Sequence, residues 1–70
     1  MRIIGIDPGL AIVGWSVVEI KNNENILEAS GSIQTDKNST DARRLLEIEN
    51  DMQVILGKYK PDVASIEKLF

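Results

Sequence analysis

The hydrophobic pattern of this chain changes period along its length. Ile3 to Asp7 is a short apolar run that stops at Pro8 and Gly9. It predicts a strand with apolar side chains on both faces, ended by a tight turn. Val13 to Ile20 is β-branched and aromatic and predicts a second strand. Asn22, Asn23 and Asn25 form a polar turn cluster. From Leu27 to Gln34 apolar and polar residues alternate. Leu27, Ala29, Gly31 and Ile33 are expected to face one way, and Glu28, Ser30, Ser32 and Gln34 the other, as in a half-exposed antiparallel strand.

The period then lengthens. Asp36 to Asp41 is polar and ends in three candidate helix N-caps, Ser39, Thr40 and Asp41. Leu45, Ile48, Met52, Ile55 and Tyr59 recur at spacings of three and four, which predicts one apolar helix face. Leu46 and Leu56 widen it. Gly57 is a candidate C-cap, Lys58 and Lys60 suit the negative end of the helix dipole, and Pro61 forbids continuation. Val63 to Ile66 predicts a last short strand that ends at Glu67.

The order β-β-β-α-β implies an antiparallel three-stranded meander, then a right-handed crossover that brings the last strand parallel to the first. The expected fold class is α/β with a mixed sheet. One helix covers one sheet face only, and the outer edge of the last strand has no partner. Residues 1–70 are therefore expected to be a fragment of a longer α/β domain.

Composition narrows the chemistry. The chain has 70 residues, 43% hydrophobic and 27% charged, which allows one soluble domain at most. It has no Cys and no His, so disulfides and His/Cys zinc sites are excluded. A metal site must use oxygen ligands, which favours Mg²⁺, Mn²⁺ or Ca²⁺. No apolar run approaches the roughly 20 residues that span a bilayer, and the start lacks the layout of a signal peptide. A cytoplasmic protein with no membrane association is expected. The net charge of −3 argues against extensive phosphate contacts within this stretch.

The candidate chemistry lies at two strand ends. Asp7 closes the first strand and Glu67 the last. Parallel neighbours lie about 4.8 Å apart, so the two carboxylates would emerge side by side, where open α/β sheets place their ligands. Such a pair can share one divalent ion or flank two. Gly9 tolerates positive φ and leaves room for a phosphate. Each residue also has a plainer role. Asp-Pro-Gly is a common turn in which Asp7 satisfies a backbone N–H, and Glu67 beside Lys68 can be a solvated strand end. Arg43 and Arg44, at the helix start, are placed either to touch phosphate or to form a solvated face.

The segments "RIIGIDPGLAIVGWSVVE", "GSIQT", "RLLEIENDM" and "KPDVASIEKLF" resemble the N-terminal half of the RuvC family of Holliday-junction resolvases, from Arg2 to Phe70. The resemblance implies a ribonuclease H-like fold and Mg²⁺-dependent cleavage of four-way DNA junctions by a homodimer in recombination and repair, with branch-migration helicase proteins as partners. It implies that Asp7 and Glu67 are the first two of four acidic metal ligands, with two ions per complete site and Mn²⁺ as a substitute. Asp7 would bridge the ions and Glu67 would ligate one. The other two acids would follow Phe70, so residues 1–70 alone should be inactive. Phe70 matches an aromatic residue that stacks on bases near the junction. A core role for its ring is the other possibility.

Three other readings compete. YqgF-like nucleases share the DPG start but carry a basic pair where this chain has Ala11-Ile12. Actin- or sugar-kinase-like ATPases place hydroxyl side chains after the second Gly of their first turn; here Leu10 to Val13 offers no hydroxyl and no Lys. A relative that keeps the fold and has lost the chemistry is the third. Two acids about three residues apart on a late helix would decide for a nuclease.

Overall fold

A computed structural model describes residues 1–9 and 11–67. It contains β1 (Arg2–Asp7), β2 (Ile12–Lys21), β3 (Glu24–Gln34), α1 (Asp41–Tyr59) and β4 (Val63–Ile66). The four strands form one sheet in the order β3-β2-β1-β4. β1 and β3 each pair antiparallel with β2, and β4 pairs parallel with β1. The expected α/β mixed sheet, meander, helix and parallel return are all present.

The β2–β3 hairpin closes through Asn22 and Asn23 at φ 53° and 63°. A type I′ two-residue hairpin loop needs positive φ at both positions, and Asn tolerates it better than most non-Gly residues. Lys21 thus pairs with Glu24, and β3 begins three residues before the expected Leu27. Asn25 belongs to the strand, where the composition had suggested turn.

The alternation along β3 holds only in part. Ile33 pairs with Val13, Gly31 with Trp15, and Ala29 with Val17, all on one face. The register shifts between Val17 and Val18, so Leu27 pairs with Val18 and not with a residue of that face. A bulge inserts an extra residue and inverts the facing of everything beyond it. Leu27 is accordingly exposed.

The core is small. Among the described residues its buried members are Ile4, Val13, Val17 and Ile33, and Ile4 and Val17 are direct cross-strand partners. Ile3, Gly5 and Ile6 of β1 are half-buried, so this strand is not sealed on both faces as its apolar run suggests.

The helix rests on the face that carries Val17 and Trp15. The Trp15 and Tyr59 ring centroids lie 5.8 Å apart. No residue of α1 is fully buried. Its half-buried stripe is Arg44, Ile48, Met52, Ile55 and Tyr59. The expected stripe began one residue later, but Leu45 is 59% exposed and Leu46 and Leu56 are exposed too. The cause is local: Arg44 Nε donates to Thr35 Oγ1 at 3.0 Å, which turns position 44 toward the sheet and position 45 away.

Both helix ends are defined. Of the three N-cap candidates the cap is Thr40, whose Oγ1 accepts from the Arg43 N–H at 3.2 Å. Gly57 does not end the helix. Lys60 does, in the left-handed conformation at φ 48°, donating its N–H to the Leu56 carbonyl at 2.9 Å. Arg2 Nη1 then donates to the last helical carbonyl, Tyr59, at 2.6 Å.

Candidate active site

Chain direction alone brings one set of ends together. β1 ends at Asp7, β2 starts at Ile12, β3 ends at Gln34, and β4 runs parallel to β1 toward Glu67. In the β1–β4 ladder Ile3 pairs with Val63, Ile4 with Ala64, Gly5 with Ser65 and Ile6 with Ile66. The Glu67 N–H extends it by donating to the Ile6 carbonyl at 3.1 Å. Asp7 and Glu67 therefore stand next to each other beyond the same edge.

The two carboxylates share an open pocket of about 410 Å³. Gly5, Gly14, Ser16 and Ser65 line it with them. Gly5 lies between Ser65 on β4 and Ser16 on β2, and Gly14 lies opposite Asp7. Glycine and serine leave the floor beside the carboxylates shallow and accessible, and Ile6 and Trp15 add the apolar part of the lining. A Cβ on Gly5 would lie 3.2 Å from Ser16 Oγ, and one on Gly14 would lie 3.7 Å from Asp7 Cβ. Sequence reading isolated Asp7 and Glu67 but not this lining. Its signal was the repeated small residue at alternate strand positions, visible only once the register was known.

Gly9 has its own reason. No described glycine has positive φ, so the expected left-handed turn is not what selects it. A Cβ at Gly9 would fall 2.5 Å from the Ile12 carbonyl oxygen. The turn after Asp7 folds so tightly on the start of β2 that only a missing side chain fits. Phe70, the candidate base-stacking residue, lies outside the described residues.

The donor set suits a hard cation. Asp7 and Glu67 are both exposed carboxylates, and no third Asp, Glu, His or Cys joins them in a cluster among the described residues. Two carboxylates with the remaining positions filled by water match the binding habit of Mg²⁺.

The chain as a whole resembles known proteins. A family model for Crossover junction endodeoxyribonuclease RuvC matches residues 3–70. The chain belongs to the RuvC family. Crossover junction endodeoxyribonuclease RuvC of Prochlorococcus marinus subsp. pastoris is 49% identical over 70 residues, covering 100% of this chain and 45% of the relative. The chain thus spans about half the length of the curated relatives it matches. Among solved structures, Thermus thermophilus RuvC in complex with Holliday junction substrate superposes with a TM-score of 0.89 at 22% identity, over 100% of this chain and 45% of that one. An exopolyphosphatase from Cytophaga hutchinsonii superposes at 0.76 with 18% identity, over 94% and 24%. The β-β-β-α-β unit therefore occurs in proteins of different names, and fold alone does not choose a function.

Proposed function

We propose that these residues are the N-terminal part of a single nuclease domain that resolves four-way DNA junctions by divalent-metal-dependent phosphodiester hydrolysis. The observation that carries the reading is the meeting of Asp7 and Glu67 over a floor of Gly and Ser, within a chain of the RuvC family. The named activity of the relatives and the junction bound to the Thermus protein support the substrate class.

Asp7 and Glu67 would hold Mg²⁺, with Mn²⁺ as a substitute and two ions in the completed site. Bound there, the metal supplies an acidified water and stabilises charge on the phosphoryl oxygens. The backbone of Asp7 is set by the Gly9 turn and that of Glu67 by the β4 ladder, so the two residues stand side by side before substrate arrives. Gly5 and Gly14 leave the strand backbone open to a phosphate. Residues 1–70 supply two ligands of the expected four, so on their own they bind Mg²⁺ weakly and do not cut. A homodimer, helicase partners and a cytoplasmic location belong to the same reading. Among the described residues no helix is long and apolar enough to cross a membrane.

The test uses the full-length protein, Mg²⁺ and a labelled synthetic four-way junction beside a linear duplex of the same sequence. Paired nicks in the junction, abolished at least about 10²-fold in Asp7→Asn and Glu67→Gln while junction binding persists, support the reading. Cleavage that survives either substitution, or that treats duplex and junction alike, overturns it. Junction cleavage by residues 1–70 alone would refute the claim that they are incomplete.

A further inference from the structure

Arg44 is a cation with no anionic partner among the described residues. It is half-buried in the first turn of α1, the positive end of the helix dipole, where Asp41 is the acidic residue of the turn. Its Nε donates to Thr35 Oγ1. No carboxylate pairs with it among the described residues. Arg2, by contrast, is matched by Glu28 at 3.1 Å and approached by Glu19 at 3.9 Å. A guanidinium has five N–H donors, and Thr35 occupies one. The remaining donors are fixed in direction by the tether.

The position of that cation is informative. Thr35 donates its N–H to the Ala11 carbonyl at 3.1 Å, beside the turn that follows Asp7. Arg44 therefore stands at the carboxylate end of the sheet. Two strand spacings and three residues of rise separate Thr35 from Asp7, roughly 14 Å from ideal strand geometry. That is too far to touch the phosphate being cut, and close enough to reach another on the same substrate. Arg43 and Lys37 stand exposed near the same end, also without an ion pair among the described residues.

We propose that Arg44, oriented by Thr35, binds a non-scissile backbone phosphate of the DNA and so sets where the strand lies relative to Asp7 and Glu67. The inference rests on reading the chain as part of a DNA nuclease. It assigns a phosphate contact to a stretch whose net charge of −3 suggests none.

The experiment measures junction binding by the full-length protein across a range of salt concentrations. Arg44→Gln should weaken binding about tenfold and flatten the log–log salt slope by about one, equally for junctions of different sequence. Arg44→Lys should restore the slope. An unchanged slope in Arg44→Gln overturns the proposal, even if the melting temperature falls, because Arg44 would then serve only to dock the helix. A second measurement needs no variant: modification of Arg44 in the wild-type protein by an arginine-specific dicarbonyl should slow when junction DNA is bound. An unchanged rate, with binding intact, overturns this proposal alone. If the wild-type protein binds no DNA, both this proposal and the nuclease reading fall.

Discussion

The backbone N–H of Glu67 donates to the carbonyl of Ile6, the residue before Asp7, at 3.1 Å. Alignment of the two carboxylates is thus a property of the β1–β4 ladder, not of any contact between their side chains. The ladder is pinned at its far end. Asp62 Oδ2 accepts from the Arg2 N–H at 2.9 Å, and the Asp62 N–H donates to the Arg2 carbonyl at 2.8 Å. This reciprocal pair fixes where β4 begins, and strand geometry carries the register up to Glu67.

Asp62→Ala removes one half of that clamp. The expected cost is about 1 kcal/mol of stability, the usual net worth of one hydrogen bond. Urea unfolding checks it. Hydrogen exchange at the Glu67 amide should accelerate more than at β2 amides, because Glu67 closes the ladder whose start Asp62 fixes. Uniform acceleration across the sheet would show that Asp62 does not set the register.

The turn after Asp7 makes a sharper prediction. Gly9→Ala places a Cβ 2.5 Å from the Ile12 carbonyl oxygen, and the obstacle is backbone. The turn must open, at a cost of about 1–3 kcal/mol typical of forced overpacking. Asp7 would shift with it. Full-length Gly9→Ala should lose cleavage more than stability, read from single-turnover rates beside a melting curve. A variant with wild-type melting temperature and wild-type cleavage would show that the turn tolerates a side chain.

Strand existence and order were legible in the sequence because the apolar period changes cleanly from strand to helix. So were Asp7 and Glu67, since each ends an apolar run. Three features were not. The bulge opposite Val17 and Val18 leaves no mark in an otherwise regular alternation, so the alternation alone puts Leu27 on the wrong face. Apolar spacing alone starts the helix stripe at Leu45, whereas Arg44 displaces Leu45 from the sheet through a bond to Thr35, nine positions earlier. Gly57 looked like a C-cap by residue type, yet the chain turns at Lys60, where Pro61 and the Arg2 guanidinium hold the end.

Trp15 packs directly over Gly31. A Cβ at position 31 would meet the indole ring at 2.9 Å from Cζ2 and 3.1 Å from Cε2. Gly31→Ala should therefore destabilise the protein by about 1–3 kcal/mol and alter the emission of Trp15, the only tryptophan. Trp15→Phe should relieve part of the clash. The double variant is expected to be less destabilised than the sum of the two single changes, as for residues in contact. Strict additivity in urea unfolding would mean that the ring moves aside at no cost.

The helix end offers a stabilising change. Lys60 holds a left-handed conformation at φ 48°, which costs a residue with a Cβ about 1 kcal/mol relative to Gly. Its backbone N–H to the Leu56 carbonyl is kept by any residue, and its side chain makes no hydrogen bond or ion pair among the described residues. Lys60→Gly should therefore raise stability, with the gain reduced because Gly loses more entropy on folding. The expected net is up to about 1 kcal/mol in urea unfolding, with the m-value unchanged. The position is remote from Asp7 and Glu67, at the opposite end of α1, so junction cleavage by the full-length protein should not change. A loss of stability would mean that the lysine charge near the helix C-terminus outweighs the backbone strain.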